Sequence, residues 1–539
     1  MKAIIKKLMM VFATVATLAS CELDRYPLTN FSEDTFFDKE ENTKLALIGL
    51  YRGGITYGVD YNVSDWWAYS ANILLDGVSD MAYDRRGFNN ALGQLTSGQI
   101  NENNLWVTNL YQKPYRRISA CSRFIEGIDA MNSNNTEMER MKAEARFIRA
   151  VQYFYLASYY YDVPLIKTVL TLEEANTVTK SPRAEVLQYA IDELTVVADI
   201  LPHHKDLPSS ERGRATAQAA LVYLARTHLV AKNYKEAAAA CKKIIDWGEN
   251  KLDADYQKLF YPSAINSPEH IYATQFVDDL AGHGLPQHAY PIKDGGWCLV
   301  NGSNILFEAY DFLDGTPFSY DDPRFNKNNF GENRDPRLDY TLIYEGTTFR
   351  GTVYNCNPET DAADKIGPGQ TTQTGFLLRK YFDESWNGDI TKYGNNVPLA
   401  RYADVLMMYL EAEMEAGTPV TQALLDQTIN AVRSRVGMPG IIETNPDKLL
   451  KIIQKERMIE FAFEGLRLWD LSRWGIAEER LNIDIYGSPF YISDQSLMKK
   501  KDGIRDPYDR WYVNKRDFKA GQERWPIPLS ETNINPNLR

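Results

Sequence analysis

Histidine and cysteine are scarce in this chain, six and five residues in 539. Cys121, Cys241, Cys298 and Cys356 are far apart and form no CxxC pair, so neither a zinc site nor a dense disulfide framework is indicated. Buried thiols and one or two disulfides both stay open. The histidines show no metal-ligand spacing; His283 and His288 flank a Gly/Pro loop and read as ordinary surface residues rather than ligands. HExxH, GxSxG, Walker A and GxGxxG are all absent. A glycosidase would need two carboxylates about 5–10 Å apart across a cleft, and nothing singles out such a pair. The expectation is therefore a protein without catalytic activity, metal or cofactor. Positive charge is short as well. With 60 Lys and Arg against 72 Asp and Glu the formal charge is −12. Affinity for a phosphate backbone comes from clustered Lys and Arg, so nucleic acid is set aside as a partner.

Long apolar runs are also missing. Only Leu8 to Ala19 qualifies, and its twelve residues fall short of the roughly 20 that span a bilayer. Lys2, Lys6 and Lys7 precede this run, and Leu18-Ala19-Ser20-Cys21 ends it with small residues before a cysteine. That order is the pattern of a bacterial lipoprotein signal over residues 1–20, cut before Cys21, whose acyl chains become the membrane anchor. Its removal takes away three lysines and no acid, moving the charge from −12 to −15.

What the chain has in plenty is helical periodicity and aromatic rings. Met141, Ala145, Ile148, Val151 and Tyr155 recur at steps of three and four, which predicts a helix within Thr136 to Tyr161, ended by Pro164. Pro182 opens a second helix through Val197. Ala217, Leu221, Leu224 and His228, then Tyr234, Ala238, Cys241 and Ile245, repeat one spacing on either side of Asn233, as a tetratricopeptide-like helical hairpin would. Further helices are expected over Arg401 to Arg435 and Leu449 to Phe463. The fold class is thus mainly α, with a loop-rich second half. Leu252 to Val397 is rich in Gly, Pro, Asn and Asp with scattered aromatics, and Gly53 to Asn104, without proline, is a second irregular region holding aromatics, Gly and Asn. Long irregular segments inside a large domain are commonly functional.

Several stretches resemble the SusD/RagB family of lipid-anchored outer-membrane nutrient-binding proteins, in order and nearly end to end. They include Cys21-Glu22-Leu23-Asp24 with Pro27, Glu144 to Ala150 with Tyr153-Phe154, and Asp162-Val163-Pro164-Leu165. Gly213-Arg214-Ala215-Thr216, Arg401 to Leu406, Glu464-Gly465-Leu466-Arg467, Arg473-Trp474 and Pro526-Ile527-Pro528 follow. One departure is the missing glycine near Asp162-Val163-Pro164, which bears on a turn. The resemblance implies a single SusD-like domain over residues 21–539: a helical repeat part to about residue 250, then a loop-rich ligand region with C-terminal helices. It also implies that the protein captures an oligo- or polysaccharide at the cell surface and delivers it to a SusC-like TonB-dependent transporter, acting as its lid. A lid for a peptide or other non-glycan nutrient is the alternative.

A sugar site needs a ring platform for C–H faces and planar polar groups for hydroxyls. By the resemblance, the first ligand loop follows Ser79-Asp80, which selects Tyr83, Asp84, Arg85 and Asn89, with Phe88 beside them. The segment after the repeats offers Tyr290 and Trp297. Of the adjacent Trp66 and Trp67, at most one faces ligand, and Trp67 is the candidate. Arg457, Glu460, Glu464, Arg467, Asp470 and Arg473, at steps of three and four, read as structural ion pairs rather than a catalytic cluster.

Overall fold

The computed structural model describes residues 40–131, 135–367, 369 and 371–539. Cys21 and the signal segment lie outside the described residues. The longer helices, in chain order, are α1 (Glu40–Arg52), α2 (Leu105–Ala130), α3 (Thr136–Tyr159), α4 (Arg183–Ala198), α5 (Ala217–Ala231), α6 (Tyr234–Trp247), α7 (Tyr402–Glu415), α8 (Pro446–Glu460) and α9 (Arg467–Arg473). From α2 to α7 each packs against the next, so the helices stack as hairpins in one continuous layer. The hairpin of α5 and α6 turns at Lys232, held in the left-handed region at φ +61°. Ala219, Ala220, Ala225, Ala237 and Ala240 are buried along these two helices and leave little side-chain bulk between neighbouring backbones. Such units bury their faces only by stacking, which ties the repeat part to α7 from the C-terminal half.

The helices predicted from periodicity lie within a few residues of those observed. The one over Leu424 to Val432 is interrupted, ending at Gln427 and restarting at Ile429. At the turn without glycine, Tyr161 itself takes φ +68°. The Arg183 guanidinium lies 3.9 Å from its ring centroid, and the Arg183 amide donates to Asp162 Oδ1 at 2.9 Å.

Strands are short and made by distant segments. β1 (Ala82–Asp84), β3 (Val300–Gly302), β7 (Leu377–Leu378) and β4 (Leu342–Ile343) form a four-stranded sheet in the spatial order β1-β3-β7-β4; β2 (His270–Thr274) pairs antiparallel with β8 (Val397–Arg401). β5 (Thr348–Phe349) and β6 (Thr352–Val353) make a hairpin, and β9 (Asp484–Pro489) pairs with β10 (Arg510–Lys515).

The charged C-terminal motif is a buried ion network. Arg401 donates to Glu269, Glu460 and Glu464 at 2.6 to 2.7 Å. Arg457 joins Asp404 and Asp470, each at 2.8 Å, and Arg467 clamps Asp80 with two nitrogens. Buried carboxylates are tolerated only when paired and hydrogen-bonded. Here the pairs bridge strands and helices far apart in the chain, and each glutamate or aspartate is held by arginine. Cys121, Cys241, Cys298 and Cys356 are buried free thiols, which decides between the two states left open by the sequence.

Candidate functional site

Two turns bring the surface aromatics together. Gly284 lies against the 55–63 loop, where its amide donates to Gly58 O at 2.7 Å. A Cβ on Gly284 would stand 2.7 Å from Val59, so this close approach requires glycine. Gly296 sits so close to Tyr290 that a Cβ would lie 2.2 Å from its carbonyl oxygen. The tight turn lets Trp297 N donate to Gln287 O at 2.8 Å. Cys298 then takes φ +49°, and its thiol lies in the core while Trp297 stays partly exposed. As a result Tyr61 and Trp297 stand side by side, ring centroids 5.6 Å apart and 32° from coplanar. Tyr61 is 60% exposed.

The first ligand loop joins this pair through β1. Tyr83 faces Asn301 and Asp84 faces Val300 across the β1–β3 ladder. Arg85 continues the pairing through its amide to Leu299 O at 3.2 Å, and its Nε donates to Trp297 O. Burial lowers the pKa of Arg85 without removing its charge. Asp84 accepts Arg86 Nε and Nη2 at 3.0 and 2.7 Å, a two-pronged clamp that holds the guanidinium in one plane. Asn89 is exposed, and so is Phe88 at 50%. The loop therefore sets oriented arginines beside a ring pair and presents an exposed amide, which are the kinds of group that sugar recognition needs.

The structure separates the sequence candidates into two groups. Arg85 and Trp297 meet at this surface, and Phe88 and Asn89 are exposed farther along the loop after β1. Asp84 is buried and acts through Arg86. Tyr83 is 5% exposed, and its hydroxyl accepts from Asn514 at 3.4 Å. Trp67 and Tyr290 lie in the core with no ring face open to solvent, contrary to the expectation that they bind. Trp67 lies under the Arg117 guanidinium, 4.3 Å from its centroid. Tyr290 is packed edge-on by Phe349 and Phe382 at 5.3 and 4.7 Å. Trp66 is stacked between Tyr155 and Tyr159 at 4.7 and 4.6 Å, so neither tryptophan of the pair faces out. His283 and His288 are core residues rather than surface ones, and burial brings their pKa values down to about 4 and about 3. Tyr61 and Arg86 were missed. The clue was present, since both fall in the aromatic loop region, but only the fold puts Tyr61 beside Trp297.

The larger described cavities lie elsewhere. One of about 660 Å³, lined by Ile305, Leu450, Lys451, Gln454, Met458 and Arg480 among others, holds no aromatic ring. Another of about 410 Å³ lies beside the C-terminal segment, with Arg524, Trp525 and Leu538 in its lining.

The SusD family model matches residues 266–539, just over half of the chain. The chain belongs to the SusD family. A second model, described as "starch-binding associating with outer membrane", matches residues 62–229. A crystal structure of a SusD-like carbohydrate-binding protein from Bacteroides fragilis is 47% identical, with a TM-score of 0.91 over 94% of this chain and all of that one. The SusD-like protein P25 of Formosa agariphila is 25% identical over 96% of this chain and 95% of its own length. At 19% identity, the surface glycan-binding protein A of Bacteroides thetaiotaomicron, solved with laminarihexaose, shares the fold with a TM-score of 0.67 over 92% of this chain and 97% of that one. These matches establish the SusD-like, mainly α fold of this chain. No helix among the described residues is long and apolar enough to cross a membrane.

Proposed function

We propose that this SusD-family chain is a non-catalytic, surface-exposed lipoprotein of the outer membrane, anchored through Cys21. In this role it captures an oligo- or polysaccharide on the Tyr61–Trp297 surface and delivers it to a SusC-like TonB-dependent transporter as its lid. The observation that carries the reading is the Tyr61–Trp297 ring pair, partly open to solvent, with Arg85 bonded to Trp297 O and Arg86 clamped on the same loop. The 47% identical relative described as carbohydrate-binding supports it, as does the family description that names starch and the outer membrane. A ring platform contributes only about 0.5–1.5 kcal/mol per aromatic contact beyond buried area. Binding per site is therefore weak, which suits a lid that must release what it captures. Ligand bridging lid and barrel would favour the closed state by its higher affinity for that state.

The test is affinity-gel retardation on plant, microbial and host polysaccharides, with reducing-sugar release followed in the same samples. The reading expects retardation by at least one glycan, no new reducing ends, and loss of retardation in Trp297→Ala and Tyr61→Ala. Retardation by no glycan would shift the cargo to a non-glycan nutrient. Product formation would overturn the non-enzymatic role.

A further inference from the structure

Arg85 brings to the ring pair a charge that the protein does not balance. It is partly exposed, and its Nε donates to Trp297 O, which tethers the guanidinium to a residue that bears one of the two rings. A guanidinium has five N–H groups in one plane, and the tether uses one of them. Burial does most to lower the pKa of Arg85, and two groups counter it. The first is the Cys298 thiol, which burial itself keeps protonated, its own pKa pushed up to about 12. The second is Asp84, whose oxygens are already taken. Its Oδ1 accepts the amide and Nε of Arg86 at 2.8 and 3.0 Å, and its Oδ2 accepts Arg86 Nη2 at 2.7 Å. Arg86 also repels Arg85. The charge of Arg86 reaches His288 as well, whose ring packs 5.5 Å from Trp297 and 6.4 Å from Tyr61, centroid to centroid. The pair thus stands beside two arginines that share one aspartate.

We infer that the platform takes an acidic glycan, Arg85 holding an anionic substituent, a uronate carboxylate or a sulfate ester, of a sugar that lies on Tyr61 and Trp297. This rests on the glycan reading above and narrows its substrate class. Hydrogen bonds from a guanidinium to an anion are roughly twice as strong as neutral ones, and a planar fork takes two oxygens at once. A neutral sugar covering the rings would strip water from the Arg85 charge without replacing it, which is costly for a charged group. The chain as a whole carries −12 and repels a polyanion, so retention of an acidic glycan has to come from a local positive site rather than from diffuse attraction.

The experiment is gel retardation of the full chain by polygalacturonate, alginate and carrageenan, each run against its neutralised form, methyl-esterified for the first two and desulfated for the third. Laminarin and starch complete the set. At least one acidic form is expected to retain the chain about tenfold more strongly than its neutralised counterpart, the effect of one hydrogen bond to a charged group. A preference within the first two pairs identifies a carboxylate, and one within the third a sulfate ester. Arg85→Gln is expected to bring that ratio close to one, and Arg85→Lys, which keeps the charge without the fork, to preserve the greater part of it. Retention by laminarin or starch and by no acidic glycan overturns this inference and leaves the platform standing, as does equal retention by the two forms of every pair. A preference that survives in Arg85→Gln, or retention lost equally in Arg85→Gln and Arg85→Lys, overturns the role of the Arg85 charge. Retention by no glycan, or equal retention in Trp297→Ala and the parent, overturns the platform and this inference with it.

Discussion

Replacing Asp76 by asparagine will shift the stability difference in the variant's favour by an amount that grows with pH. Asp76 lies in the short 3-10 helix Leu74–Val78, just ahead of the ligand loop. Its Oδ2 accepts the Gly465 amide at 3.1 Å, while Oδ1 is sealed from solvent without a partner. Burial is the main reason that its pKa is raised from 3.8 to about 8, and neighbouring Glu464 adds to the rise. The native pKa exceeds the unfolded one. Below pH 4 both states hold the proton and the group is neutral in its effect. Between about pH 4 and 8 the unfolded chain releases that proton and the native chain does not, so stability falls as pH rises. At 1.36 kcal/mol per unit, the cost at pH 7 reaches roughly 4 kcal/mol, of which about 2.5 kcal/mol accrues between pH 5 and pH 7. Asparagine keeps an oxygen for the Gly465 amide and has no proton to lose. Its unpaired N–H groups cost about 1–3 kcal/mol, but that offset does not vary with pH. Urea unfolding of parent and Asp76→Asn, followed by tryptophan fluorescence at pH 5 and pH 7, isolates the effect, because other titrations cancel in the difference. The stability difference will move in the variant's favour by about 2.5 kcal/mol between the two pH values. A difference that stays constant would mean that Asp76 is ionised in the native state, and the argument from burial would fail.

Three other outcomes follow from named contacts. Trp67→Phe will lower the urea midpoint while leaving glycan retardation intact, and Trp297→Ala will do the reverse; loss of retardation in both would mean that the core tryptophan supports the platform. Arg401→Ala strands Glu269, Glu460 and Glu464 without their shared cation, and is expected to cost about 3–5 kcal/mol in unfolding experiments, the usual penalty for breaking a buried pair; a loss below about 1 kcal/mol would mean that Arg435, paired with Glu269 and Glu460, Arg337, paired with Glu460, and Lys380, paired with Glu464, carry the charge without it. The carboxyls of Asp80 and Asp404 are held at about 2 by paired arginines despite burial. They stabilise the fold above the ordinary carboxylate pKa, and that contribution is lost as pH falls from about 4 through 2. Asp404→Asn will therefore flatten the acid limb of a stability-against-pH curve, and an unchanged limb would count against the pairing.

Periodicity alone determined the helical half of this protein. Ala217 to Ile245 has a single solution as a hairpin, because its apolar spacing repeats on either side of one polar turn, and local pattern dictates local structure. The same spacing argument identified Arg457 through Arg473 as ion-pairing residues, although their partners Asp80 and Asp404 are far away in the chain. The SusD resemblance was also legible, and of the residues it selects Arg85 and Trp297 are partly exposed and Asn89 is exposed. What sequence could not decide was which rings face solvent. Trp67, Tyr290 and Trp297 are chemically alike, and in segments without periodicity nothing local says which side is covered. Only tertiary structure buried Trp67 under Arg117 and Tyr290 between Phe349 and Phe382, and, through the close approach of Gly284 to the 55–63 loop and the turn at Gly296, left Trp297 partly exposed with Tyr61 and His288 beside it. Burial is a property of what packs against a residue, and in irregular backbone those neighbours come from distant parts of the chain.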